Sequence, residues 1–447
     1  DCGSTIFVSG SFRLGVCGPG SDIDVICVVP SFCGGEAPGH FFRSFLSELT
    51  EREDVTNVVP IPDAAVPMIG LQLSGVDIDL LVAVMPGPNA TLTHDQLLED
   101  SVLQGIDDKS AKTLNGPRVT ELLFRLTKRN YHHFQLCLRF LRHWAKRRGI
   151  YSNKLGYMGG VNFAILAAKV AIWYPRASAF TLLKNFFDMM LVWPWPTEIR
   201  LTKHYDPGLG NHVQWDPAAR NSRNKDDIMP VITPAYPCMN STYNIMKSTK
   251  AVMEGEFKRA HEICERAADN VKARMARGET IAACADEWDE LFEPVHFFVR
   301  SKHYLRLDIV ALNEEDLTAW KGYAESRVRH FMLRLQRLPL LELRVFPTLY
   351  PRPDDPDSGL CGAFMFIGIT PDPKKLQGAL RLGSIIQNFQ QNELSKFRGK
   401  KPGMDVQVTK PKWKDLPAEV FGEKGQAAFV EERQAFKREM AELAAEA

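Results

Sequence analysis

No two cysteines in this chain stand in a C-x-x-C pair. The nine present (Cys2, Cys17, Cys27, Cys33, Cys137, Cys238, Cys264, Cys284 and Cys361) are scattered, and an odd, dispersed set offers neither zinc-ligand spacing nor a disulfide frame, so they read as reduced thiols. Long apolar runs are missing too. The longest, Val161–Tyr174, falls short of a bilayer span and contains Lys169. Charge of one sign is lacking as well: 55 Lys and Arg against 54 Asp and Glu leave a net charge of +1, so any site for a polyanion has to come from local clustering. There are no internal repeats and no low-complexity tracts. What remains is an ordinary globular composition, 45% apolar and 24% charged over 447 residues, enough for about three domains. The chain opens at Asp1, almost directly on a strand-like run, and further chain is expected upstream.

The richest stretch runs from Ser9 to Val28, SGSFRLGVCGPGSDIDVICV. In a strand, residues two apart share a face, so Asp22 and Asp24 present two carboxylates together while Ile23 turns to the core. Paired hard oxygens suit a divalent ion such as Mg²⁺, which keeps positions open for phosphate and water. Gly10, with no Cβ, lets its backbone approach a phosphate, and Ser11 adds a hydroxyl. An Asp-x-Asp alone is more often a turn or a solvated edge; the Gly-Ser element before it and a third carboxylate after it shift the balance. That third acid lies in the next pair of strands, Val66–Leu73 and Val76–Val84, joined by the tight-turn signal Ser74-Gly75. The second strand carries Asp77 and Asp79 on one face, and a carboxylate embedded in VDIDLLVAV calls for a partner such as a metal.

Strand patterns over 5–8 and 25–29 and an amphipathic helix over His40–Thr50 complete a small α/β sheet. From Asn115 the period becomes helical. Phe134, Leu138, Leu141 and Ala145 mark a buried face, while Arg139, Arg142, His143 and Lys146 line another that suits triphosphate or RNA backbone, or plain solvent. GYMGGVNFAILAAKVA opens on glycines and runs into an apolar helix whose start either faces a nucleotide or is simply a turn. Residues 204–234 read as a long surface connection, and a helix follows over Val252–Met275. Near Trp288 a strand–helix–strand–strand–helix–strand order begins, with a helix from Glu314 to about Leu335 and another over 378–393; this is a ferredoxin-like or RRM-like order. Lys396, Arg398, Lys400, Lys401, Lys410, Lys412 and Lys414, with Phe397 and Trp413 among them, form a candidate RNA edge, or a solvated one. The tail AAFVEERQAFKREMAELAAEA is helical in pattern.

Gly-Ser with Asp-x-Asp says no more than nucleotidyltransferase of the polymerase-β type. Further blocks narrow it: VPMIGLQLSGVDIDLLVA, LNGPRVTELL, RHWAKRRGIYSNKLGYMGGVNFAIL, WPWP, MPVITPAYPCMNSTYNI and FEPVHFFVRSKHYLRLDIVA. With these the chain resembles the eukaryotic nuclear poly(A) polymerases along essentially its whole length. The resemblance implies a multidomain α+β protein. Its expected parts are a polymerase-β-like nucleotidyltransferase sheet over 1–114, a helical middle domain over 115–287, an RRM-like (ferredoxin-like) RNA-binding domain over 288–420 and a helical tail over 421–447. In the family a segment ahead of the Gly-Ser motif contributes to the middle domain, and it is expected to be missing here.

The same resemblance implies roles. Asp22, Asp24 and Asp79 match the metal-binding catalytic triad, and Gly10 and Ser11 the phosphate-contacting pair. Asn115, Tyr151, Asn153, Gly160, Val161 and Thr233 fall where the family contacts ATP, with Arg142 and Lys146 set to hold the triphosphate and Met68 lining the base site. Two positions depart from the family pattern. Arg142 replaces a lysine, turning a point charge into a fork, and Ser9 replaces an aromatic beside the incoming nucleotide. The implied reaction adds AMP from ATP to the 3′-hydroxyl of pre-mRNA and releases pyrophosphate. Two Mg²⁺ or Mn²⁺ ions, roughly 3.5–4 Å apart, would clamp the α-phosphate, and the side chains would mainly position groups. RNA 3′ ends and cleavage/polyadenylation factors are the implied partners, and a monomeric catalytic unit in the nucleus, with no membrane, is the implied setting. Selectivity for ATP rests on the resemblance. The alternatives are a terminal uridylyltransferase or cytoplasmic poly(A) polymerase of the same superfamily, and an inactive RNA-binding scaffold.

Overall fold

The computed structural model describes residues 3–34, 39–62, 66–209, 212–218, 226–353, 359–376 and 378–445. The chain divides into two units, Asp1–Arg142 with Gly160–Tyr243, and His143–Gly159 with Asn244–Ala447.

The first unit is organised on a five-stranded sheet: β1 (Thr5–Val8), β2 (Ile23–Pro30), β3 (Val55–Ile61), β4 (Met68–Leu73) and β5 (Val76–Met85), in the order β1-β2-β5-β4-β3. β2 and β5 run parallel and the other neighbours antiparallel. Alternation along the strands sorts the side chains onto two faces. Ile78, Leu80 and Val82 pack with Phe41, Val55, Ile69 and Leu71 on one. Ile26, Val28 and Ala83 pack on the other with Leu97, Leu103, Ala111 and Leu114. The helix Asp108–Thr127 lies on this second face. It starts at the Asp107 side chain, which accepts from the Lys109 and Ser110 N–H groups. Asp24 and Asp79 share the parity of that face but sit where its apolar cover ends. The helices Gly160–Trp173 and Ala179–Val192 complete the unit, the former buried along most of its length.

Two details differ from the sequence pattern. The expected helix over 40–50 is a 3₁₀ turn, His40–Phe42, and a helix, Ser44–Thr50, separated by the non-helical Arg43. β3 lacks a clear alternation, with Asn57 at a φ of 54° in a register break between Thr56 and Val59.

The second unit contains the helix Lys247–Ala276 and a four-stranded sheet of β6 (His303–Ala311), β7 (Leu340–Pro351), β8 (Cys361–Pro371) and β9 (Asp405–Thr409). Their order, β7-β8-β6-β9, is antiparallel throughout. With a helix between β6 and β7 and another between β8 and β9, this is the ferredoxin-like arrangement the order of elements implied. Helix Glu314–Leu335 has the expected bounds. It buries Leu317, Trp320, Ala324, Val328, Phe331 and Leu335 at helical spacing, and it packs on β6 and β8. The other helix is shorter than 378–393, with α-turns at Gly383–Asn388 loosening into irregular turns as far as Lys396. The opposite face of the sheet is aromatic, and it is roofed. Tyr304, Phe364 and Phe366 pack under Phe297, Phe298 and Phe421, with Trp413 and Phe429 at the margin. The helix Val430–Ala445 locks the roof through buried Arg433, whose Nη1 donates to the carbonyls of Val299 (2.5 Å) and Ser301 (2.6 Å). Trp413, read from sequence as part of a candidate RNA edge or a solvated one, donates its indole N–H to the Phe298 carbonyl at 2.7 Å. Phe397 lies 4.7 Å from the Tyr323 ring and 5.6 Å from that of Trp320.

Candidate functional site

The site is assembled where β1 hands over to β2. After Val8 the backbone pairs once more, the Ser9 N–H donating to the Asp24 carbonyl at 2.9 Å, and then turns through Gly10 at a φ of 60°. Glycine is favoured here twice over, by its left-handed backbone and by space, since a Cβ at position 10 would stand 2.2 Å from Asp24 Oδ2 and displace that carboxylate. The turn is pinned from the helix Asp108–Thr127. Thr120 Oγ1 accepts the Gly10 N–H (3.2 Å) and shares a hydrogen bond with the buried Ser9 hydroxyl (3.1 Å). The hydroxyl of half-buried Ser11 meets no partner among the described residues.

The three acids lie together. Asp24 and Asp79 are directly opposite one another on the parallel strands β2 and β5, and exposed Asp22 sits just before β2 begins. Burial, the charge of Asp22 and the charge of Asp79, in that order, push the Asp24 carboxyl up from 3.8 to about 6. Carboxylates crowded in this way repel until a cation joins them. Such a set of hard oxygens, with its open side toward solvent, fits a divalent metal ion. Asp77 faces the same way but is exposed, accepting from the Gln72 side-chain amide at 2.8 Å.

The loop between the Gly-Ser turn and the acids is held by one face of the helix Tyr131–Arg147. At successive turns, Tyr131 Oη (3.0 Å) and Gln135 Nε2 (2.8 Å) donate to the Leu14 carbonyl, Arg139 Nη2 to Gly15 (2.5 Å) and Arg142 Nη1 to Val16 (2.6 Å). Arg139 and Arg142 therefore serve the loop's carbonyls and keep their charge beside it. Sequence reasoning saw the two arginines but missed Tyr131, Gln135 and Thr120; the i, i+4, i+8 spacing of 131, 135 and 139 was the available signal.

Of the other expected site residues in this unit, Met68 stands on β4, on the face that carries Gly70 and Gln72. The Asn115 amide donates to the Pro237 carbonyl at 3.2 Å, and buried Thr233 accepts the Met239 N–H at 2.9 Å. Gly160 opens its helix, with Val161 exposed after it. In the second unit the exposed Lys146 ammonium lies 5.5 Å above the Tyr151 ring, and the Asn244 amide donates to Asn153 Oδ1 at 2.9 Å. That unit also buries an ion-pair network in which Glu256 accepts from Arg148 and Arg344.

Three family models match in succession: the poly(A) polymerase nucleotidyltransferase domain over residues 1–127, the poly(A) polymerase central domain over 133–294, and the poly(A) polymerase predicted RNA binding domain over 296–359. Nuclear poly(A) polymerase 1 of Arabidopsis thaliana is 40% identical over 423 residues, covering 94% of this chain and 56% of that protein. A poly(A) polymerase of Dictyostelium discoideum is 35% identical over 433 residues, covering 94% of this chain and 50% of its own length. The chain thus spans about half the length of these curated relatives. Among solved structures, a Cid1 poly(U) polymerase variant bound to MgATP shares 16% identity at a TM-score of 0.41, covering 66% of this chain and 87% of its own. No described helix is long and apolar enough to cross a membrane.

Proposed function

Because the chain belongs to the poly(A) polymerase family, a family of nucleotidyltransferases, we propose that it is a template-independent adenylyltransferase acting on RNA 3′ ends in the nucleus. The observation that carries this reading is the facing pair Asp24 and Asp79, with Asp22 beside them, under a left-handed glycine turn. In the reaction the RNA 3′-oxygen forms a bond to the α-phosphorus of ATP, the bond from that phosphorus to the β-phosphate bridge breaks, and pyrophosphate leaves. The hydroxyl proton passes to solvent.

Asp22, Asp24 and Asp79 would hold two divalent ions, Mg²⁺ or Mn²⁺, which when bound supply charge neutralisation at the phosphates and a more acidic 3′-hydroxyl. The chain's own part is placement. Ser9 and Thr120 fix the Gly10 turn so that Ser11 meets the triphosphate from a rigid mount. Arg139 and Arg142, bound to neutral carbonyls rather than to carboxylates, leave two positive charges next to that turn. Proton transfer by a side chain is not needed, since phosphoryl-type transfer runs on orientation and charge stabilisation. The roles that the family motif gives Lys146, Tyr151 and Asn153 toward ATP belong to the same proposal, as do pre-mRNA as substrate and cleavage/polyadenylation factors as partners.

The test is extension of a labelled oligo(A) primer with each of the four nucleoside triphosphates in Mg²⁺ or Mn²⁺. ATP alone is expected to give long products. Preferential UTP incorporation would replace the adenylyl reading with a uridylyl one, and no incorporation with either metal would leave an RNA-binding scaffold.

A further inference from the structure

The ion-pair network of the second unit holds more cations than it neutralises. Glu256 accepts from Arg148 Nε at 2.7 Å and from Arg344 Nη2 at 3.1 Å, so one carboxylate serves two guanidiniums. Arg259 follows three residues on along the same helix face. Its Nη2 donates to the Glu290 carbonyl at 2.7 Å, a neutral acceptor, and an oxygen of exposed Glu293 lies 3.5 Å off. Burial and the charge of Arg148 hold the Arg259 guanidinium below its usual range. Arg259 Nη1 and Arg344 Nε are buried with no hydrogen-bond partner. Buried charged donors without acceptors are costly, so the cluster is short of negative charge.

Arg259 and Arg344 line a cavity of about 530 Å³ between the start of the helix Lys247–Ala276 and β7, an edge strand. Its other end offers donors too. The Gln336 carbonyl oxygen accepts from the Ser248 N–H and hydroxyl, both at 3.3 Å. That leaves the Gln336 amide N–H groups to donate, near exposed Lys247. Ser248 and Glu256 are eight residues apart on the helix, which sets the two ends about 12 Å apart. Between them stands Gly255. Glycine weakens a helix interior, and a Cβ at position 255 would meet nothing within 4 Å; its packing does not ask for glycine, which leaves the space open. The acids of the wall do not balance the donors, since Glu256 is taken and burial pushes the Glu342 carboxyl above its usual range. A second cavity, of about 650 Å³, borders the same network, but its lining sets four arginines against five glutamates and suits no anion.

We propose that the first cavity binds a compact anion carrying more than one phosphate, one end at Arg259 and Arg344 and the other at Lys247 and Gln336. Guanidinium and ammonium groups are the common partners of phosphate oxygens, and a phosphate brings several acceptors to donors that converge from different elements. Two donor ends favour a ligand with two charged ends over one with a single charge. Occupancy ties the helix to the sheet edge, so the ligand stabilises the second unit. The inference does not depend on the transferase reading.

Binding of inorganic phosphate and of tripolyphosphate is measured by calorimetry in EDTA, where no divalent ion holds phosphate at Asp22, Asp24 and Asp79, and the melting temperature is followed with each. Tripolyphosphate is expected to bind at least about tenfold tighter than phosphate, the gain from engaging the second end, and to raise the melting temperature. Lys247→Ala, at an exposed position, should bring tripolyphosphate down to the affinity of phosphate and leave phosphate itself unchanged. Gly255→Glu, which sets a carboxylate among the cations, should abolish binding of both, while Gly255→Ala keeps it. If Gly255→Glu does not fold, Lys247→Ala decides alone. Equal affinities for the two anions, an unchanged tripolyphosphate affinity in Lys247→Ala, or binding that survives Gly255→Glu overturns the site. Displacement of tripolyphosphate by oligo(A) would assign the cavity to RNA and overturn the small ligand.

Discussion

The two sheets of this molecule share a plan and use it in opposite ways. In each, one face packs against its own helix or helices. The five-stranded sheet leaves the polar end of a face uncovered, so that Asp22 and Asp79 stand at an open concavity with Asp24 directly opposite Asp79. The C-terminal sheet has on its free face the kind of aromatic surface on which single-stranded bases stack in RRM domains, yet Phe364, Phe366 and Tyr304 are sealed beneath Phe298, Phe421 and the Arg433 plug. An open face held at an energetic cost marks a ligand site, while an aromatic face closed by the chain itself has become core. At the edges of that unit Lys396, Arg398, Lys400, Lys410, Lys412 and Lys414 are exposed.

The largest expected effect tests the open face. Asp79→Ala should lower primer extension by at least about 10³-fold, near 4 kcal/mol in the barrier, while its melting temperature stays at or above that of the parent. Retained extension would break the comparison at its first term. The closed face is tested by Arg433→Ala, which strips two buried carbonyls of their donor. It should cost about 3 kcal/mol in urea unfolding and raise the fluorescence of a hydrophobic dye bound to the exposed roof; an unchanged midpoint would mean the roof does not depend on its plug.

The third prediction has the opposite sign. The Asp24 carboxyl titrates near 6 in the folded chain against an ordinary 3.8. Between those values the folded state holds the extra proton, so stability falls as pH rises through the window, and the whole penalty is present above about pH 6. Asp24→Asn removes it. Without divalent metal the variant should be more stable than the parent by about 2–3 kcal/mol at pH 8, with the difference vanishing near pH 3.5. Added Mg²⁺ should stabilise the parent and not the variant. Equal melting at pH 8 would show that the open face carries no strain. The smallest effect is that of Thr120→Val, which deprives the Ser9 hydroxyl and the Gly10 N–H of their partner. It should cost about 1 kcal/mol and raise the ATP KM more than the acceptor KM in the extension assay.

The parallel pair at the heart of the first sheet was readable in the sequence, and its most irregular edge was not. VICVV and VDIDLLVAV announce β2 and β5 because strands buried on both faces are apolar along most of their length. β3 went unread, and β9 was expected only as the last strand of the order, without bounds; both are edge strands. An edge tolerates Pro60, a register break at Asn57 and flanking lysines, devices that stop edges from pairing with other chains and that erase the alternation a reader looks for. The acids were legible for the same reason that they are costly, since a carboxylate in an apolar strand has few structural excuses. The loop clamp of Tyr131, Gln135, Arg139 and Arg142 was hidden because its acceptors are main-chain carbonyls, which have no letter in a sequence. The sealed aromatic face was hidden because part of its roof, Phe421 and Phe429, comes from beyond the last strand, far along the chain from Phe364 and Phe366, and pattern reading is local.

The Asp24 carboxylate occupies the volume that a side chain at position 10 would need. Positions 10 and 24 are therefore sterically coupled. While the acid is in place, a side chain at position 10 has to displace its carboxylate; once the acid is lost, only the left-handed backbone still disfavours replacement. A lineage that abandons catalysis should thus lose the acid first and the glycine afterwards, and a homologue that keeps Gly10 without an acid at position 24 records a recent loss, its glycine a relic of a carboxylate no longer there.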